Sequence, residues 1–180
     1  SVGYAAMRTT LVRPALEAAA ARGVTRFRAS PIAPDFRGGI VTRNARGEIT
    51  GLTNQAKVQA DLRALVEEIV RVKGQLSRLP LLSFELGDGQ DANGRPVTGE
   101  GEGEFPGDIN DDARSDALIT QFVVPVARIL DQLQQEVRRA DPNAAPIGAL
   151  ELINELDNER ATALQMAKGQ GFLRKAAAAV

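Results

Sequence analysis

The chain contains no cysteine, no histidine and no tryptophan. Without cysteine there are no disulfides and no thiolate chemistry, and the redox compartment is left open. The missing histidine removes the commonest general base, the usual zinc ligand and every Ser-His or Cys-His nucleophile pair. Any catalysis would rest on carboxylates, Lys, Ser, Thr or Tyr. Aromatic residues make up only 4%, so the core is expected to consist of Leu, Val, Ile and Ala. No apolar run approaches the roughly 18 residues that a membrane-spanning helix requires. Nor does a charged start followed by an apolar segment mark a signal peptide.

What is present is globular in character. At 180 residues, with 43% apolar and 25% charged content, the chain suits a single domain over 1–180 with a core of its own. The net charge of −1 conceals a segregation. Residues 1–80 hold thirteen Lys or Arg against six Asp or Glu, residues 81–116 hold two against ten, and residues 117–180 hold seven of each. A basic part and an acidic segment in one chain suit electrostatic pairing, within a subunit or between neighbours.

The patterning predicts a mainly α fold: a bundle of about four helices with a small β-hairpin and an irregular central insertion. Residues 1–28 read as an N-terminal helix and a short extended segment, with Gly23 as the helix cap and Pro14 as a break or as the start of the helix. Residues 29–53 read as a loop followed by a hairpin whose turn is centred on Asn44 to Gly47. Residues 54–79 read as one long helix. Val58, Leu62, Leu65, Ile69, Val72, Leu76 and Leu79 follow one another at spacings of 4, 3, 4, 3, 4 and 3, a heptad seam. Thr53 or Asn54 caps it and Pro80 stops it. Residues 110–180 read as C-terminal helices: one capped by Asn110 and kinked at Pro125 or split there into two abutting helices, and a last one starting near Asp141-Pro142 or Pro146, with Ala149, Ile153, Leu156, Leu164 and Ala167 facing inward.

Between these helical parts, residues 81–108 form an acidic, Gly-rich hairpin or spacer. Leu81–Leu86 is a strand candidate, with Val97–Phe105 as its hairpin partner. Asp91, Asn93, Gly94 and Glu100 fall at the third, fifth, sixth and twelfth places of an EF-hand loop. Gly89 takes the first place, where Asp is needed, and Pro96 the eighth, so calcium is not the expected occupant. Asn93-Gly94 suits a turn, and the run Gly-Glu-Gly-Glu-Gly-Glu has little to bury. The acid pairs Glu67-Glu68 and Asp111-Asp112 read as a solvated helix face and a dipole-compensating first turn. No phosphate-binding Gly-Lys-Ser/Thr loop occurs.

No catalytic, cofactor-binding or metal-ligating residue is assigned, and no cofactor is expected. Three sets of interaction residues are: the helix seam listed above; a basic set of Arg22, Arg26, Arg28, Arg37, Arg43 and Arg46; and an acidic set of Glu100, Glu102, Glu104 and Asp108. The arginines would suit phosphates, but only Phe27 and Phe36 lie among them. That is no stacking platform, so nucleic acid is not the favoured partner. In composition, the Ala-rich terminal helices and the absence of Cys, His and Trp resemble filament, tail and virion subunits. The expected function is a non-enzymatic structural subunit of a multi-copy assembly, of virion, tail or extracellular filament type. Its partners would be copies of itself and other subunits, held by helix packing and basic-to-acidic contacts. The alternative is a helical adaptor or chaperone-like module that binds one protein through the heptad face.

Overall fold

The computed structural model of the chain describes residues 4–29, 41–46, 48–83, 109, 111–154 and 163–180. Among the described residues five helices and five strands follow in the order α1 (Arg13–Ala20), β1 (Arg26–Arg28), β2 (Val41–Arg43), β3 (Ile49–Leu52), α2 (Gln55–Arg71), β4 (Gln75–Ser83), α3 (Asp112–Leu118), α4 (Val124–Ala140), β5 (Leu150–Asn154) and α5 (Ala163–Ala179). The fold is mainly α. It is not a simple bundle, because the helices pack with a three-stranded sheet of order β1-β4-β5 whose two pairings are both parallel.

Two helices are entered through π-helical turns, Arg8–Val12 before α1 and Ile119–Val123 before α4. In each case a proline follows as the second residue of the α-helix, Pro14 and Pro125. A proline inside an α-helix lacks a donor and presses its ring on the carbonyl four residues back. The wider π turn moves that carbonyl and needs one bond fewer. The break expected at Pro14 and the kink expected at Pro125 are both resolved this way. Asp111, one residue beyond the expected Asn110, caps α3 by accepting from the Arg114 amide at 2.9 Å.

The helix expected over 54–79 begins as read, with the Asn54 side chain accepting from the Lys57 amide at 2.9 Å. It ends at Arg71, eight residues early. Lys73 donates to the Val70 carbonyl and Gly74 to the Ile69 carbonyl, both at 2.9 Å, the two bonds of a Schellman motif. The same pair closes α1, where Gly23 donates to Ala20 and Val24 to Ala19. Gly23 takes the left-handed position there with φ 80, whereas at the end of α2 that position falls to Lys73 with φ 53. Gly74 is needed for a different reason. A β-carbon there would lie 2.5 Å from Cε2 of Phe27 and 3.3 Å from the Thr25 carbonyl oxygen, so only a bare backbone lets β1 lie beside the start of β4.

Leu76 and Leu79 therefore sit on a strand, and their spacing of three has a structural cause. Phe27 pairs with Leu76 but Arg28 pairs with Arg78, so Ser77 is an extra residue on β4. Such a bulge puts two successive side chains on one face. Leu76 and Leu79 consequently share the buried face, at 1% and 0% exposure. Ser77 fills the bulge by donating its hydroxyl to the Phe27 carbonyl at 2.9 Å. Pro80 continues the strand instead of stopping a helix. The Leu79 amide bonds to Ala149 on the β5 side, so the Pro80 nitrogen faces the β1 side, where β1 has already ended.

The last expected helix is also displaced. Ile147 forms an isolated parallel bridge to Leu76, and Leu150–Asn154 is β5, pairing Leu79 with Leu150 and Leu82 with Ile153. Ala149 is exposed and leads into that strand. The described part of the Leu81–Leu86 strand pairs in parallel with β5, and its expected hairpin arm Val97–Phe105 lies outside the described residues. The hairpin β2-β3 forms as read, Val41 opposite Leu52, with Asn44 Oδ1 accepting from the amides of Arg46 and Glu48.

With strands in sequential order and right-handed crossovers, α2 and α4 belong on one face of the sheet, and they do pack together. The core lies between them and the sheet, around Leu62, Ile69, Leu79, Phe122 and Val126, each fully buried. Helix α5 closes it with Phe172 and Ala176 and is tied down by Lys168–Asp112 and Lys175–Asp116, each 2.9 Å.

Two substitutions test the α2–β4 junction. Lys73→Gly removes the left-handed penalty, about 1 kcal/mol, and is expected to raise the thermal midpoint by about 2–4 °C. Gly74→Ala is expected to lower stability by about 1–3 kcal/mol, because the Phe27 ring must move. Denaturant melts of both variants beside the parent check the opposite signs.

Candidate functional site

The heptad seam does not form a surface. Val58, Leu62, Leu65 and Ile69 on α2, and Leu76 and Leu79 on β4, are all buried within the chain's own core, and Val72 at the helix end is partly buried. Beside them lies a network of charged side chains. Glu68, expected on a solvated face, has no exposed side-chain surface. Its Oε1 accepts from Arg8 Nε at 2.6 Å and Arg13 Nη2 at 2.8 Å; its Oε2 accepts from Arg71 Nε at 2.7 Å and Arg13 Nε at 3.1 Å. Glu67 takes a second bond from Arg8 and Glu17 one from Arg71, which balances three guanidinium charges with three carboxylates.

The hydrogen bonds from Arg13, then those from Arg71 and Arg8, hold the Glu68 carboxyl far below its usual range despite the opposing effect of burial. The same bonds raise all three arginines. Four donors occupy this carboxylate, so it has no acceptor left for a substrate proton. It is a lock between the N-terminal helix and α2. Asp61, 3% exposed, plays a smaller version of the same part by accepting from the Ala5 amide and Lys57 Nζ.

A second charged surface is the opposite face of the sheet. The bulge that turns Leu76 and Leu79 inward turns Ser77 and Arg78 outward. Register places Gln75 opposite Arg26 and Arg78 opposite Arg28, and all three arginines are exposed. From β5, Glu151 approaches Arg28 Nη2 at 3.6 Å, and its Oε2 is buried without a hydrogen-bond donor. Among the described residues Arg26 and Arg78 hold no ion pair. Among the described residues the face carries three guanidinium groups and the Glu151 carboxylate, with Arg28 engaged in a further contact.

The other residues of the basic set are dispersed. Arg22 donates to the Ala18 carbonyl at the end of α1. Arg43 lies on β2, and Arg46, in the β2-β3 turn, offers its carbonyl to Arg114. Arg37, together with Glu100, Glu102, Glu104 and Asp108, lies outside the described residues. Arg78 and Glu151 were missed by sequence reading because both depend on recognising β4 and β5 as neighbours. The one signal available was the arginine at i and i+2 in Arg26-Phe-Arg28.

A separate cleft of about 360 Å³ lies between α4 and the segment leading into β5, lined in part by Arg128, Asp131, Gln134 and Leu150. Gln134 is engaged by the Ile147 amide and Asp131 by Gln135. Among the described residues no three potential metal ligands come together, and no helix is long and apolar enough to cross a membrane. In comparisons with known proteins, no family model, no curated protein and no solved structure matches the chain.

The lock has a pH signature. A folded carboxyl held below its ordinary value of 4.5 contributes stability that is complete above that value and declines as pH falls through it. Glu68→Gln is expected to cost about 2–3 kcal/mol at pH 7. The gap between parent and variant should narrow from about pH 5 downward, as urea melts across pH 3–7 will show.

Proposed function

We propose that the chain is a non-enzymatic structural subunit of a multi-copy assembly, of virion, tail or extracellular filament type, whose copies join through charged surfaces. The observation that carries this reading is the sheet. Parallel sheets are ordinarily covered on both faces, because their crossovers bring helices to each side. This one buries Leu76 and Leu79 beneath helices and turns Arg26, Arg28 and Arg78 outward.

The chemistry of the carboxylates supports the same reading. Among the described residues the buried side chains of Asp61 and Glu68 accept from backbone, Lys or Arg donors, an arrangement that fixes helices. Helix packing serves each copy internally, since the heptad seam is spent on its own core. The basic-to-acidic contacts are left as the means of joining copies. An arginine-rich face in one copy and the acidic stretch that precedes α3 in the next form a heterologous contact, which repeats into a ring or a filament.

Light scattering behind size-exclusion chromatography tests this. At low salt the mass is expected to be a multiple of 19.2 kDa that rises with concentration, and to fall as salt screens the exposed charges. A mass of one chain at every salt and concentration rejects the reading.

A further inference from the structure

We infer that the cleft between α4 and the entry to β5 binds a small zwitterion, a free α-amino acid with an aliphatic side chain. The site lies within one chain and stands apart from the assembly reading.

At about 360 Å³ the cleft has the size of a small-molecule site. Its apolar surface comes from Val124, Ile147 and Leu150, which are partly buried against the core and also line the cleft. Small residues keep the space beside them open, Ala127 on the helix and Gly148 and Ala149 on the facing segment. A branched aliphatic group seated there withdraws apolar surface from water on both sides.

The polar wall is on α4, where Arg128, Asp131 and Gln134 follow one another at intervals of three. Opposite charges three residues apart are neighbours on a helix. Arg128 and Asp131 nevertheless form no ion pair, and among the described residues Arg128 has no hydrogen-bonded partner. Asp131 spends Oδ2 on Gln135 Nε2 at 2.7 Å and keeps Oδ1. Gln134 spends Oε1 on the Ile147 amide at 3.2 Å and keeps its Nε2 donor. One cleft thus holds an uncommitted cation, an uncommitted amide donor and a carboxylate oxygen with room for a donor.

This set selects the ligand. A guanidinium binds a carboxylate through two parallel bonds, and the Gln134 amide adds a third donor. Asp131 repels a simple anion but accepts from an ammonium. The end of α5, Ala179 and Val180, also borders the cleft, and the last carbonyls of a helix carry partial negative charge. An ammonium is favoured there as well. A molecule with a carboxylate, an ammonium and an aliphatic branch on neighbouring carbons meets all three surfaces at once.

The test titrates the full chain, labelled with nitrogen-15, with leucine and follows the backbone amides. Shifts are expected at residues 128–134 and 147–150, saturating with a Kd below about 1 mM. Two analogues each lack one charge, 4-methylpentanoate without the ammonium and 3-methylbutylamine without the carboxylate. Each is expected to bind about tenfold more weakly than leucine. Arg128→Met is expected to weaken leucine by a similar factor. Asp131→Asn is expected to weaken leucine and leave 4-methylpentanoate no weaker. Both side chains are exposed, so the fold is retained, as melts beside the parent will show. Ala149→Phe, which fills the cleft, is expected to abolish binding; should it fail to fold, the two charge variants decide.

The absence of saturable shifts up to about 10 mM leucine overturns the inference. So does binding that none of the variants alters. If 4-methylpentanoate binds as tightly as leucine, the zwitterion assignment is lost. A chain that binds leucine and stays a monomer at every salt upholds this site and rejects the assembly reading. One that assembles without binding does the reverse.

Discussion

The architecture turns on a contact that leaves no room for a side chain. At Gly74 the ring of Phe27 and the carbonyl of Thr25 occupy the space a β-carbon would take. Because the backbone of β1 comes that close, the chain leaving α2 is caught beside β1, and the residues after it become a strand. Everything downstream follows from that turn. Leu76 and Leu79 become the inner face of a sheet, β5 finds a neighbour, and α2 and α4 acquire a common floor. A bulkier residue at position 74 would press the Phe27 ring and β1 away from the start of β4.

Charge is used in two distinct ways. Around Glu68 and Asp61 the cations of the N-terminal half are consumed locally, by acids on α2 and α1. Four of the cations in residues 1–80 are therefore internal cement, matched by four acids of the same span and offsetting the desolvation of buried carboxylates. The excess of positive charge stays on the remaining side chains, and the sheet register gathers Arg26, Arg28 and Arg78 among them. The segregation along the chain is thus a poorer guide to surface than the register of one short parallel sheet.

Local signals were legible. The Asn54 cap, the inward face of α2 from Val58 to Ile69, the hairpin around Asn44, the Gly23 cap and the interruption at Pro125 all come from interactions within a few residues. Long-range ones were hidden. Leu76 and Leu79 prolong a helical spacing because a bulge at Ser77 makes a strand imitate it. The segment Leu150–Asn154 is short and follows Ala- and Pro-rich residues that suit a helix start, so its strand character emerges only against β4. Glu68 looked solvated because its three arginines arrive from two other turns of helix and from its own C-terminal end. The arginine face was half visible, as Arg26 and Arg28, while Arg78 depended on a pairing no local pattern encodes.

The pairing of Leu79 with Leu150 carries a consequence for how the molecule is made. These partners are far apart in the chain, so the central strand stays bare on one side until synthesis has passed the end of β5. Bringing such distant segments together is slow compared with forming the helices between them. During that interval the flank of β4 is an unsealed hydrogen-bonding ribbon, open to any extended peptide nearby. The late arrival of β5 is what closes that flank.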